Sequence, residues 1–242
     1  MPVVLGVNLD HIATLRQVRG APYPQPVEGA RICETCGVHG VTLHLREDRR
    51  HIQEYDVREV KKVLSSCSLN LEMALYQEII DFACEIQPYM ATIVPERREE
   101  LTTEGGLDVK SHAGRIASLV SDFRLRGILV SLFIEPDRDA VRISKETGAE
   151  YIEIHTGSYA DARGDNVKRE LDRVLESASY AVSLGLRVNA GHGLNYENME
   201  PMLAMEGLEE VNIGHSIISR SIFVGLEQAI RQMQDILVRG AR

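Results

Sequence analysis

Positive charge is scarce in this chain: 27 lysines and arginines stand against 36 aspartates and glutamates, a formal net charge of −9. A general nucleic-acid binder needs a basic face to neutralise phosphates, so that class is excluded. A local basic pocket that focuses a small anion is not. Lysine is rarer still, with only Lys61, Lys62, Lys110, Lys145 and Lys168. None lies at the end of a predicted strand, which speaks against a Schiff-base lysine. The four cysteines are Cys33, Cys36, Cys67 and Cys84. Cys33-x-x-Cys36 has a redox or zinc spacing, but no second pair accompanies it and it falls on a predicted helix over residues 28–37. Ordinary helix thiols are the expectation. There is no Gly-x-Ser-x-Gly elbow. No apolar run approaches the ~18 residues of a membrane span, and the apolar start is too short for a signal peptide, so a cytoplasmic location is expected.

What is present is a repeat of short β-rich runs separated by helical patterns. Eight runs stand out, at residues 3–8, 41–45, 69–73, 91–94, 128–134, 151–155, 187–190 and 211–213. Between them, Val167, Leu171, Val174, Leu175, Ala178, Ala181 and Val182 trace one apolar helical face. Gly185 follows where a left-handed terminal residue is wanted, as do Gly37, Gly127 and Gly148. Ser111 and Asp137 are the expected N-caps of two helices. Alternating β and α elements require a mostly parallel sheet. At 242 residues the pattern predicts one α/β domain over residues 1–242. Its fold is a (β/α)₈ TIM barrel, an open doubly wound sheet being the runner-up. Residues 95–110 form the one long connection without clear structure, and a lid is expected there.

The unusual residues fall at predicted strand ends, which converge on one mouth of a barrel. Asn8, Asp10 and His11 end the first run, His44 and Arg46 the second, and Glu72 lies in the third. Glu153 and His155 belong to the sixth, His192 follows the seventh, and Gly214 and His215 end the eighth. Five of the eight histidines thus cluster, with His51 in the second loop. Gly191-His-Gly193 and Gly214-His-Ser, the latter leading into a helix, read as a phosphate site built from backbone N–H groups. Arg16, Arg19, Arg46, Arg49 and Arg50 point to a second anion site, with Arg46 favoured and Arg19 next. Arg49 and Arg50 are expected to pair with Glu47 and Asp48 or to face solvent. Histidine, glutamate and arginine together make an acid–base toolkit. Two other readings stay open: a metal-dependent sugar-phosphate epimerase or hydrolase, and a non-catalytic sensor of phosphorylated metabolites.

The chain also resembles the pyridoxine 5′-phosphate synthase family. The motifs are Gly6-Val-Asn-Leu-Asp-His-Ile-Ala-Thr-Leu-Arg16, His44-Leu-Arg-Glu-Asp-Arg-Arg-His51, Asn70-Leu-Glu-Met73, Val94-Pro-Glu and Thr102-Thr-Glu-Gly-Gly-Leu-Asp108. Ile152-Glu-Ile-His-Thr-Gly157, Val188-Asn-Ala-Gly-His-Gly-Leu194 and Asn212-Ile-Gly-His215 complete the series. The resemblance implies closure of the pyridine ring of vitamin B6 from 1-deoxy-D-xylulose 5-phosphate and 3-amino-2-oxopropyl phosphate, without metal or organic cofactor. It assigns His44 and Glu72 as general bases and His192 as general acid. It places Asn8, Asp10, His11, Arg19, Arg46, His51, Thr102, Gly193, Gly214 and His215 in contact with substrates, and Glu153, from its place in the sixth run, is expected to join them. It further implies a homo-oligomer, an octamer, with a few additional helices on the TIM barrel; the acidic balance and short apolar runs make a nucleic-acid or membrane partner unexpected. Burial inside the mouth is expected to raise the pKa of Glu72.

Overall fold

Strand and helix alternate along the chain because apolar runs with period two give way to apolar faces with period near 3.6. The computed structural model describes residues 2–96 and 105–240. The order is β1 (Val4–Asn8), α1 (Asp10–Arg19), α2 (Pro26–Cys36), β2 (Gly40–His44), α3 (Glu54–Val63), β3 (Ser68–Met73) and α4 (Gln77–Ile86). Then come β4 (Met90–Ile93), α5 (Val109–Leu125), β5 (Leu129–Ile134), α6 (Arg138–Glu146), β6 (Tyr151–His155), α7 (Gly157–Asp161) and α8 (Asn166–Ser183). The chain ends with β7 (Arg187–Gly191), α9 (Met199–Met202), β8 (Leu208–Ile213), α10 (His215–Val224) and α11 (Leu226–Gly240). All eight strands are parallel and close into a barrel in sequence order. Extra helices follow β1, β6 and β8, as the additional-helix expectation holds. No helix among the described residues is long and apolar enough to cross a membrane.

Alternation divides each strand between two environments. Leu5, Val7, Val41, Leu43, Leu71, Ile93, Leu132, Ile152, Ile154, Val188 and Val211 are buried and belong to the apolar core between strands and helices. The alternate set is polar: Thr42, His44, Asn70, Thr92, Ser131, Glu153, Asn189, Glu210 and Asn212 are buried too. Hydrogen bonds run through this interior. Thr92 Oγ1 donates to Asn70 Oδ1 (2.9 Å), Asn70 Nδ2 to Thr42 Oγ1 (3.4 Å), Thr42 Oγ1 to Asn212 Oδ1 (3.2 Å) and Asn212 Nδ2 to Glu153 Oε2 (2.7 Å). The groups along this line thereby offset their desolvation, whereas Ser131 Oγ and both Asn189 amide atoms have no hydrogen-bond partner among the described residues. Gly6 makes the crossing from β8 to β2 possible. A Cβ there would meet Asn212 Oδ1 at 2.2 Å and Glu210 Oε1 at 2.3 Å.

Helix ends follow local chemistry. Gly37 closes α2 at φ 64°, and Gly127, Gly148 and Gly185 also carry positive φ at the ends of their helices. Asp137 caps α6 by accepting from Ala140 N. The expected cap at Ser111 is displaced: α5 starts three residues earlier, and Asp108 caps it by accepting from Ser111 N at 3.0 Å. Asp108 wins because its carboxylate reaches the donor from a non-helical position, whereas Ser111 already lies within the helix. Cys33 and Cys36 sit on α2, buried as free thiols, and burial pushes the Cys33 thiol up, away from thiolate chemistry.

Candidate active site

The C-terminal strand ends bring the polar set together at one mouth. Asn8 ends β1 and Asp10 opens α1, and the two bind each other: Asn8 Nδ2 donates to Asp10 Oδ2 and Asp10 N to Asn8 Oδ1, both at 2.9 Å. Asp10 Oδ1 accepts from His44 N at 2.9 Å. This couples the first two strand ends. His11 stands against His215 with ring centroids 5.1 Å apart. Burial, reinforced by His215, lowers the His11 pKa.

His44 and Glu72 are register partners on β2 and β3, so they lie side by side. His44 Nδ1 is 3.8 Å from Glu72 Oε2, and His44 Nε2 is 2.9 Å from Glu96 Oε1. Glu96 Oε2 also accepts from Glu47 N at 2.9 Å. The hydrogen bond from His44 leads the influences that hold Glu96 below the ordinary carboxyl range against its own desolvation. Glu72 behaves oppositely. Burial, then the charges of Asp10 and Glu153, lift its pKa well above the usual value, as expected. Glu153 is raised to about 7 by burial, which outweighs the Asn212 hydrogen bond. Room for it comes from Gly191, where a Cβ would lie 2.1 Å from Glu153 Oε1.

Across the mouth, His155 Nδ1 is 2.7 Å from Glu135 Oε1, and its ring stands 5.0 Å from that of His192. His192 adopts φ 77°, a left-handed conformation uncommon outside glycine that is characteristic of functional turns. Burial and then His155 push its pKa down to about 4. Gly193 follows at φ 77°, where a Cβ would strike Ala160 Cβ at 2.5 Å. Ser216 Oγ donates to Leu194 O, tying the start of α10 to this turn. Gly214 is the N-cap of α10, and a Cβ there would crowd Asn8 at 3.0 Å. Gly193, Gly214 and His215 thus flank a helix start with its orphan N–H groups, the geometry of an anion site.

The arginines divide. Arg16 is 1% exposed and locked bidentately to buried Asp56 at 2.6 and 2.7 Å, so its place in the second anion site is corrected to a tie between α1 and α3. Arg49 forms its ion pairs with Glu54 and Glu78 and also donates to the Glu47 carbonyl at 3.0 Å. Arg50 does bind Asp48, which Arg46 also contacts. Arg46 is 2% exposed at the end of β2 and keeps its candidacy. Arg19 is exposed in the last turn of α1 and has no ion pair among the described residues. Thr102 and half of the proposed lid, residues 97–104, lie outside the described residues.

Asp10, His44 and His51 offer ligand atoms within 4.8 Å of one another, as a divalent ion would need. The set is already committed. Both Asp10 oxygens accept hydrogen bonds, and His51 Nδ1 accepts from Ile52 N at 2.8 Å. That contact leaves the proton of neutral His51 on Nε2, which presents a donor rather than a lone pair. Burial lowers the His51 pKa and keeps the ring neutral. Such a donor suits a hydroxyl or phosphate oxygen.

Glu96 and Glu135 are the site residues that strand-end reasoning passed over. Each lies in a loop just beyond its strand, Glu96 three residues after β4 and Glu135 one residue after β5, and a carboxylate so close to a strand end is the signal that marks them.

The family model for pyridoxal phosphate biosynthesis protein PdxJ matches residues 5–239. A protein of Legionella pneumophila strain Corby named pyridoxine 5′-phosphate synthase is 51% identical over 236 residues, covering 97% of this chain and 95% of its own. One of the same name from Geobacter sulfurreducens is 51% identical over 234 residues, covering 96% and 98%. Among solved structures, phosphoribosyl anthranilate isomerase from Thermus thermophilus superposes with a TM-score of 0.63 at 14% identity, covering 98% of this chain and 99% of its own. The latter likeness concerns the barrel alone.

Proposed function

The chain is an enzyme belonging to the pyridoxal phosphate biosynthesis protein PdxJ family, and from that premise we propose that it is a pyridoxine 5′-phosphate synthase. It condenses 1-deoxy-D-xylulose 5-phosphate with 3-amino-2-oxopropyl phosphate, closing a pyridine ring with release of phosphate and water. The observation that carries this reading is the line Glu96–His44–Glu72, at 2.9 and 3.8 Å. With the Glu96 carboxylate accepting from Nε2, the lone pair of neutral His44 lies on Nδ1 and faces Glu72. Glu72, its pKa raised by burial and by the charges of Asp10 and Glu153, takes up a proton more readily than an ordinary carboxylate. Two bases side by side suit a reaction that repeatedly takes protons from carbon and nitrogen. His192, with Glu153 and His155 nearby, serves the departing oxygens. Arg46, His51, Asp10 and His11 line one substrate position, and Asn8, Gly193, Gly214 and His215 the other. Holding both reactants converts a bimolecular encounter into a local one.

The test is an assay of purified protein with both phosphorylated substrates. Formation of pyridoxine 5′-phosphate is expected; its absence under conditions where a PdxJ relative turns over would reject the reading. The Asp10–His44–His51 cluster motivates a second reading, a metal-dependent sugar-phosphate epimerase or hydrolase. Activity abolished by exhaustive chelation and restored by a divalent ion would favour it; full activity after chelation is the outcome expected here.

A further inference from the structure

Glu135 stands one residue beyond β5, outside the residues given a role above. Its Oε1 accepts from Gly106 N at 2.9 Å and faces His155 Nδ1 at 2.7 Å, and its Oε2 lies 3.4 Å from an Arg173 nitrogen. The His155 contact is the main influence holding the Glu135 carboxyl below its ordinary range, so Glu135 is an anion at neutral pH. An anionic acceptor has no proton to give, and the proton in this contact therefore belongs to His155 Nδ1. The ring's other nitrogen is then its working atom. His155 is 7% exposed, and its Nε2 has no hydrogen-bond partner among the described residues. Nε2 lies over Gly157, where an added Cβ would come within 2.5 Å of it. His155, Gly157, Ser158, Asn166 and His192 line one cleft of about 610 Å³.

Resting on the synthase reading, we infer that Glu135 is a positioning residue for the reaction's acid step, acting through His155, whose Nε2 it directs into the cleft beside His192. A lone His192 is poorly supplied for that step, since burial and its neighbour favour the neutral ring. The carboxylate 2.7 Å behind His155 supplies a counter-charge beside the two imidazoles and fixes which nitrogen faces the departing oxygen. The charged and titratable groups facing this pair are Glu135 at the end of β5, Arg173 from α8, Asp161 from α7 and His11 from α1.

Glu135→Gln isolates the charge. Gly106 N and His155 Nδ1 both use Oε1, and the amide oxygen of glutamine accepts from both. The expected result is a fall in kcat of about tenfold at pH 8, smaller at pH 6, with KM within about twofold and the alkaline limb of the kcat profile moved down by about one pH unit. Gly157→Ala, which crowds Nε2 without touching the carboxylate, lowers kcat while leaving that limb in place. An active wild type whose Glu135→Gln variant keeps its limb, or loses activity equally at every pH, overturns this inference alone. A wild type that forms no product overturns the synthase reading and this inference with it.

Discussion

At the residue scale, the same physical effect prepares two groups for opposite ends of the barrel. Burial beside other carboxylates raises Glu72 at the mouth and lifts Glu210 to about 8 deep in the interior. For Glu72 the consequence is catalytic. Glu72→Gln keeps the shape but removes the base, and kcat is expected to fall about 10²- to 10⁴-fold with KM little changed, read by steady-state kinetics. An unchanged kcat would remove Glu72 from the mechanism. For Glu210 the consequence is stability. Its folded pKa stands above the unfolded one, so the native state binds the extra proton. Its contribution is fully present below about pH 4.5 and is lost as pH rises through about 8. Glu210→Gln stays neutral throughout, so its melting advantage over the wild type should grow between pH 5 and pH 8.5. The order of magnitude at the upper end is about 2–4 kcal/mol. Melting curves whose difference is flat across that range would refute the assignment.

At the element scale, the tie between α1 and α3 separates structure from binding. Arg16 and Asp56 are both nearly sealed from solvent, and Asp56 also caps α3 by accepting from Gln53 N. Arg16→Met strands a buried carboxylate, at a cost of about 3–5 kcal/mol and a melting shift on the order of 10 °C. Arg16→Met with Asp56→Leu should recover much of that loss, while KM for both substrates stays near the wild-type value at low temperature. A raised KM in a still-folded Arg16→Met would return Arg16 to the anion site. Arg16 also illustrates what the chain alone makes legible. Eight strands were readable because their apolar halves recur at regular spacing, and His44, Glu72 and His192 because they end those strands. The start of β8 was missed by three residues, since Glu209 and Glu210 break the apolar pattern of Leu208–Ile213; Glu210 belongs to the polar interior, which period-two apolar counting does not see. Arg16 carries no local sign that its partner lies 40 residues away, and Glu96 and Glu135 gain meaning only when the barrel brings them behind His44 and His155. Long-range pairing is what local pattern lacks.

At the scale of the whole molecule, the surface is not uniformly polar. Leu15 and Val18 on α1 and Ile222 and Phe223 on α10 are 54, 86, 70 and 83% exposed, on two helices that touch each other. Large apolar side chains grouped on neighbouring elements mark association surfaces more often than solvent faces. Both helices follow directly from strand ends of the mouth, β1 and β8, so a second copy seated there would buttress the turn that carries Asn8, Gly214 and His215. We therefore expect this face to join copies of the chain. Val18→Glu with Phe223→Glu places two charges where apolar contact is required, and burial of unpaired charge is costly enough to part the subunits. Light scattering should register a smaller species than the wild type, with the far-ultraviolet dichroism of the barrel preserved. Activity at fixed protein concentration should fall with the assembly, because the mouth loses its support from outside. A double variant of wild-type mass would show that another surface joins the copies, and a wild type that scatters as a monomer would show that this face serves no self-association at all.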